Sequence, residues 1–61
     1  MEYQYAVTVP TTRSFEYTLY LNQNYIMPLV DYTVTTASIS TVEYRFKRFD
    51  HFSQFTQRWR L

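Results

Sequence analysis

The chain has 61 residues with six Lys and Arg against five Asp and Glu, a formal charge of +1, and 21% aromatic side chains. A domain of that size buries only about 60% of the surface its unfolded chain exposes, so its stability should be marginal. Gly and Cys are both 0, which removes phosphate-cradling glycine loops, disulfide frameworks and thiolate metal sites together.

Tyr3, Tyr5, Val7 and Val9 alternate with Glu2, Gln4, Ala6 and Thr8. This period of two predicts a half-buried strand stopped by Pro10. Thr11 to Ser14 is a polar connection. Phe15, Tyr17, Leu19 and Leu21 then alternate with Glu16, Thr18 and Tyr20, which predicts a second strand over residues 15–21, followed by a turn at Asn22-Gln23-Asn24.

Beyond Pro28 a third strand is expected over residues 29–36, with Val30, Tyr32 and Val34 on one face. Residues 36–40 form a loose hairpin connection. The fourth strand covers 41–48, with Val42, Tyr44 and Phe46 inward and Glu43, Arg45 and Lys47 outward. Phe52, Phe55, Thr56 and Trp59 stand at i, i+3, i+4 and i+7, the stripe of an amphipathic helix, and Asp50 is the expected N-cap. The expected fold class is α+β, a three- to four-stranded antiparallel meander followed by one helix.

Catalytic chemistry is poorly represented. His51 is the only histidine, Ser53 two residues away does not face it on a helix, and the five carboxylates form no acid and base pair. These residues argue against an enzyme, a metal site and a cofactor. No apolar run approaches the ~18–20 residues that a spanning helix needs, so a cytoplasmic or membrane-peripheral location is expected. Charge is asymmetric: residues 1–44 carry Arg13 against Glu2, Glu16, Asp31 and Glu43, whereas residues 45–61 carry Arg45, Lys47, Arg48, Arg58 and Arg60 against Asp50. The basic end is the expected contact for an acidic partner.

Arg48 falls in the register of Val42, Tyr44 and Phe46, where the alternation asks for an apolar residue. Two readings are open: the strand ends or bulges at Lys47 and frees Arg48 to turn outward, or Arg48 faces a concavity and meets an anion beside Phe49.

Lys47-Arg48-Phe49-Asp50-His51-Phe52, followed by Phe55 and Trp59, resembles the signature of the phox-homology (PX) domain found in sorting nexins. The resemblance extends upstream through residues 29–36 as that family's second strand and residues 15–21 as its first. It implies a division into an N-terminal strand or extension (1–14) and a PX-like sheet and first helix (15–61). The function it implies is binding of phosphatidylinositol 3-phosphate at endosomal membranes. Arg48 takes the role of the 3-phosphate ligand and Phe49 that of the aromatic against the inositol ring, while Arg45 and Lys47 serve as basic membrane-facing surface. Family members continue through a proline-rich loop and further helices, so the resemblance covers the N-terminal half of the domain. A protein partner or a second copy is then expected to complete the fold. The competing expectation is a small β-rich interaction or assembly subunit, a virion or scaffold component, because the aromatic strands outnumber the helix available to cover them. Nucleic-acid binding through Arg45, Lys47 and Arg48 is the weakest reading, since basic residues are few.

Overall fold

The computed structural model describes residues 3–61. Glu2, expected on the outer side of the first strand, lies outside the described residues. The elements are β1 (Tyr5–Pro10), α1 (Ser14–Gln23), β2 (Tyr32–Thr36), β3 (Thr41–Phe46) and α2 (Phe49–Trp59), with a single 3₁₀ turn at Thr11–Arg13 leading into α1. The class is α+β, as the patterning predicts, but with two helices where the sequence reading expects one.

The additional helix replaces the strand expected over 15–21. Tyr17 and Leu21 are buried, and they stand four residues apart. That spacing satisfies a helix and a strand equally. The residues that separate the two are Phe15 and Leu19, which a strand would bury beside Tyr17; both are exposed. Glu16 in the first turn suits the positive end of the helix and pairs with Arg13 at 3.3 Å. At the other end the Asn24 side chain donates from Nδ2 to the Tyr20 carbonyl at 2.8 Å, closing the last turn.

The sheet is not a sequential meander. Its order is β1-β3-β2, with β3 central and antiparallel to both neighbours. β1 and β2 therefore run parallel, joined by α1, with β3 inserted between them in a split βαβ arrangement. Because a parallel return needs a crossover connection, the helix over 14–23 and this strand order belong together.

The third strand also starts later than its sequence pattern suggests. Residues 27–31 form a turn in which Asp31 accepts from the Met27 N–H at 2.9 Å and donates its own N–H to the Met27 carbonyl at 2.8 Å. Pro28 has no N–H to offer a ladder, and Leu29 adopts φ 66°, so pairing with β3 as a regular strand begins at Tyr32. The hairpin to β3 is closed without glycine: Ala37 N–H reaches the Thr41 carbonyl at 3.0 Å, and the Ser38 and Thr41 hydroxyls share a hydrogen bond of 2.6 Å.

Register sorts the two faces. Tyr5, Val7 and Val9 lie across from Phe46, Tyr44 and Val42, and Tyr32 also faces Phe46, so one face is apolar and carries the helices. Ala6, Thr8, Thr33 and Thr35 lie across from Arg45 and Glu43 on the other, solvated face. The core comprises Val9, Tyr17, Leu21, Ile26, Tyr32, Tyr44, Phe46 and Phe55. Phe55 sits at its centre, with ring centroids 5.5 Å from Tyr17, 5.3 Å from Tyr44 and 5.2 Å from Phe46. The Tyr44 hydroxyl meets Thr18 Oγ1 at 3.0 Å and donates to the Ser14 carbonyl at 3.2 Å, so the central strand is tied to α1 by polar contacts as well. No helix among the described residues is long and apolar enough to cross a membrane.

Candidate functional site at the β3 to α2 junction

β3 ends at Phe46. Lys47 donates its N–H to the Asp31 carbonyl at 3.0 Å, the last rung toward the β2 side. Arg48 is then extended at φ −112°, ψ 139° and occupies the N-cap of α2, with no side-chain cap bond. The helix starts one residue before Asp50, so the expected N-cap lies inside the first turn instead. The Asp50 carboxylate is engaged by the Arg48 guanidinium and the neighbouring His51 N–H, and caps no amide further along the helix.

Arg48 Nε donates to Asp50 Oδ1 at 3.0 Å and Nη2 donates to Oδ2 at 2.7 Å, a two-point fork. Asp50 Oδ1 also accepts from the His51 N–H at 3.0 Å. The pair is held in the open, with side-chain exposures of 61% and 60%. The Arg48 hydrogen bonds, aided by the His51 amide, hold the Asp50 carboxyl below its ordinary range, while the bonded carboxylate raises the Arg48 guanidinium, with Asp31 adding in the same sense.

Phe49 is 60% exposed and packs one side against Tyr5, with ring centroids 5.5 Å apart. Arg48 and Phe49 are thus adjacent and accessible at the mouth of α2. Lys47 places its ammonium 5.6 Å from the Tyr3 ring, and the Tyr3 hydroxyl donates to the Leu29 carbonyl at 3.0 Å. Exposed Leu29 and Val30 therefore belong to the same end of the molecule as Lys47 and Arg48. Arg45 stands on the outer sheet face, donating from Nε to the Tyr3 carbonyl at 3.1 Å and pairing with Glu43 at 3.3 Å. It is further from the mouth of α2 than Lys47, by one strand residue pair.

A groove of about 640 Å³ adjoins the junction, running along α2 past Phe49, Asp50, Ser53 and Gln57 to Arg58, with Tyr20 of α1 on its far wall. Gln54 bridges the helices, donating to the Tyr20 hydroxyl at 3.1 Å and to Asn24 Oδ1 at 3.2 Å. Arg58 lies over Trp59, 4.4 Å from the ring centroid, and Arg13 approaches the same ring at 5.4 Å. Sequence reasoning missed Tyr20 and the helix-to-helix wall because it placed residues 15–21 on a strand. The spacing of Tyr17 and Leu21 does not decide between helix and strand; the signal that was present is Asn24, which caps the last turn.

No protein-family model, curated protein or solved structure matches this chain.

Proposed function

We propose that the β3 to α2 junction binds the phosphate of a phosphoinositide, with phosphatidylinositol 3-phosphate as the lipid, and attaches the protein peripherally to endosomal membranes. The observation that carries this reading is the Arg48 fork: two parallel N–H donors, exposed, at the positive end of a helix, already satisfied by a planar oxyanion in the form of Asp50. A phosphate presents the same geometry with more charge. Phe49 stands beside it as the apolar surface for an inositol ring, and the exposed pair Leu29 and Val30 on the neighbouring turn supplies an apolar edge next to the basic residues, the combination that favours a headgroup interface. The PX resemblance of residues 47–59 and the hairpin-then-helix order of β2, β3 and α2 support the same assignment.

The test is co-sedimentation with liposomes that differ only in whether they contain phosphatidylinositol or phosphatidylinositol 3-phosphate. Wild type is expected to pellet with the phosphorylated lipid, Arg48→Gln to lose that preference, and Asp50→Asn to strengthen it by removing the competing carboxylate. Equal binding of folded wild type and Arg48→Gln to both liposomes refutes the reading.

A further inference from the structure

One edge of the sheet is open. Thr11 donates its N–H to the Ser40 carbonyl at 2.9 Å, continuing the β1 to β3 register by one pair. In an antiparallel ladder only alternate residues bond to a given neighbour. Val9, Val7 and Tyr5 therefore direct their N–H and C=O groups at β3, and Gln4, Ala6 and Thr8 direct theirs away from it. Pro10, with no N–H, falls in the outward series, where none is needed.

Proteins ordinarily guard such an edge with a charge, a proline, a bulge or a covering segment. Among the described residues β1 has only Pro10, at its C-terminal end, and neither charge nor bulge along Gln4 to Thr8. Its register with β3 runs without interruption from Tyr5 to Pro10, and residues 3–12 contain no charged side chain. The opposite edge is different: the turn before β2 folds back on it, with Leu29 N–H donating to the Tyr32 carbonyl at 2.8 Å and Pro28 bridging to Tyr32. On the helix-bearing side of the β1 edge the apolar cover is incomplete. Tyr5 and Val7 are half-buried, and Phe49 overhangs Tyr5.

We infer that β1 pairs with β1 of a second copy, antiparallel about a two-fold axis through Ala6, so that two three-stranded sheets become one of six strands. The outward series Gln4, Ala6, Thr8 is centred on Ala6. In this register Ala6 exchanges both bonds with its counterpart and Gln4 exchanges both with Thr8, twice over, so every outward N–H and C=O of the three residues is satisfied. Side chains agree with it. Tyr5 comes opposite Val7 on the helix-bearing face, Gln4 opposite Thr8 on the solvated face, and the smallest side chain lies on the axis, where it meets its own counterpart. No charge meets a like charge, which is what a self-complementary interface requires.

The experiment is sedimentation equilibrium of the whole chain over a wide concentration range, with amide exchange of Ala6 and Thr8 followed in parallel. Wild type is expected to double in mass as concentration rises and to slow exchange at both amides. Ala6→Pro removes an N–H that β3 does not use, so the monomer fold is kept while the dimer mass is lost. Thr8→Lys, which puts a charge against the seam without touching the backbone, gives the same loss should the proline disturb β1. Val34→Lys on the β2 edge leaves the dimer intact. The inference is overturned by a wild type that stays monomeric throughout, by a dimer that survives Thr8→Lys with Ala6 and Thr8 still exchanging freely, or by loss of the dimer in Val34→Lys alone.

Discussion

Phe55→Ala is the substitution that most directly tests the packing. The ring is fully buried and touches Tyr17 from α1, Tyr44 and Phe46 from β3, so it joins both helices to the central strand. Removing a buried phenyl typically costs about 3–5 kcal/mol, the lost transfer energy plus the cavity left behind. Three aromatic neighbours place this site toward the upper part of that range, since each ring pair adds roughly 0.5–1.5 kcal/mol beyond its area. A 61-residue chain at about 0.05–0.15 kcal/mol per residue has a total stability of roughly 3–9 kcal/mol. At about 3–5 kcal/mol, Phe55→Ala therefore removes roughly a third or more of it. At about 4–8 °C per kcal/mol for a domain of this size, the melting temperature should fall by at least ~12 °C. Urea unfolding followed by circular dichroism, with Trp59 fluorescence as the tertiary probe, measures this. Phe49→Ala is the matched control, the same chemical change on the same helix at a ring that is 60% exposed, and it should cost less than about 1 kcal/mol. If the two substitutions cost the same, or if Phe55→Ala costs under about 1 kcal/mol, the inward face of α2 has been assigned wrongly.

Tyr25 adopts φ 60° in the turn after α1 with its ring in solvent. A left-handed conformation costs a bulky residue about 1–2 kcal/mol, so Tyr25→Gly should stabilise by roughly 0.5–1 kcal/mol after the greater freedom of glycine in the unfolded chain is subtracted; a fall in the urea midpoint would show that the ring makes a stabilising contact after all. Burial raises the phenols of Tyr32 and Tyr44 above their ordinary value of 10.0, with nearby tyrosine charge acting in the same sense for both. The folded state thus prefers the neutral phenols: that stabilisation is complete below pH 10 and is lost as pH rises through the higher folded values. Stability should decline above pH ~10 together with the rise in phenolate absorbance, and a melting temperature constant across that range contradicts the assignment.

β1, the 32–46 hairpin and α2 were legible because each has a period that only one secondary structure satisfies. In α2 the residues Phe52, Phe55 and Trp59 cannot share a strand face, and in β3 the residues Val42, Tyr44 and Phe46 cannot share a helix face. The segment 15–21 was not legible in that way. Its apolar residues fall on alternate positions, yet the two that are buried, Tyr17 and Leu21, are also one helical turn apart, and the two that argue for a strand, Phe15 and Leu19, turn out to face solvent. Local pattern gives no penalty for an exposed Phe, so the decision was made by tertiary packing, where Tyr17 is needed against Phe55 and Trp59. Strand order was hidden for the same reason. Nothing local says that β1 pairs with β3 rather than with its sequence neighbour; that follows once α1 is a crossover. At the candidate site the adjacency of Arg48 and Phe49 was readable from the chain, whereas the capture of Asp50 by Arg48 was not, because a carboxylate two residues ahead of a helical stripe reads equally well as a cap.

Beyond the left-handed Tyr25 and Leu29 and the strand-like pattern of α1, two more local rules are broken in this chain. An N-cap is normally a short side chain that accepts from first-turn amides, and a cation at the positive end of a helix is unfavourable; here the N-cap is Arg48. Asp50 offsets both faults at once by pairing with the guanidinium and accepting from the His51 N–H, which makes the local stability of the junction depend on an anion being present at that point. Under the proposed function a phosphate would meet the same requirement from outside. The second is the β1 edge, guarded by Pro10 alone among the described residues. In sequences that otherwise agree with their fold at every level, such departures concentrate where a ligand or partner supplies what is missing. Phe49 connects the two, since it follows Arg48 in the chain and rests on Tyr5 at the edge of β1. Under both proposals a headgroup at Arg48 and a second strand at β1 would adjoin this one ring, so its packing should register the occupancy of both.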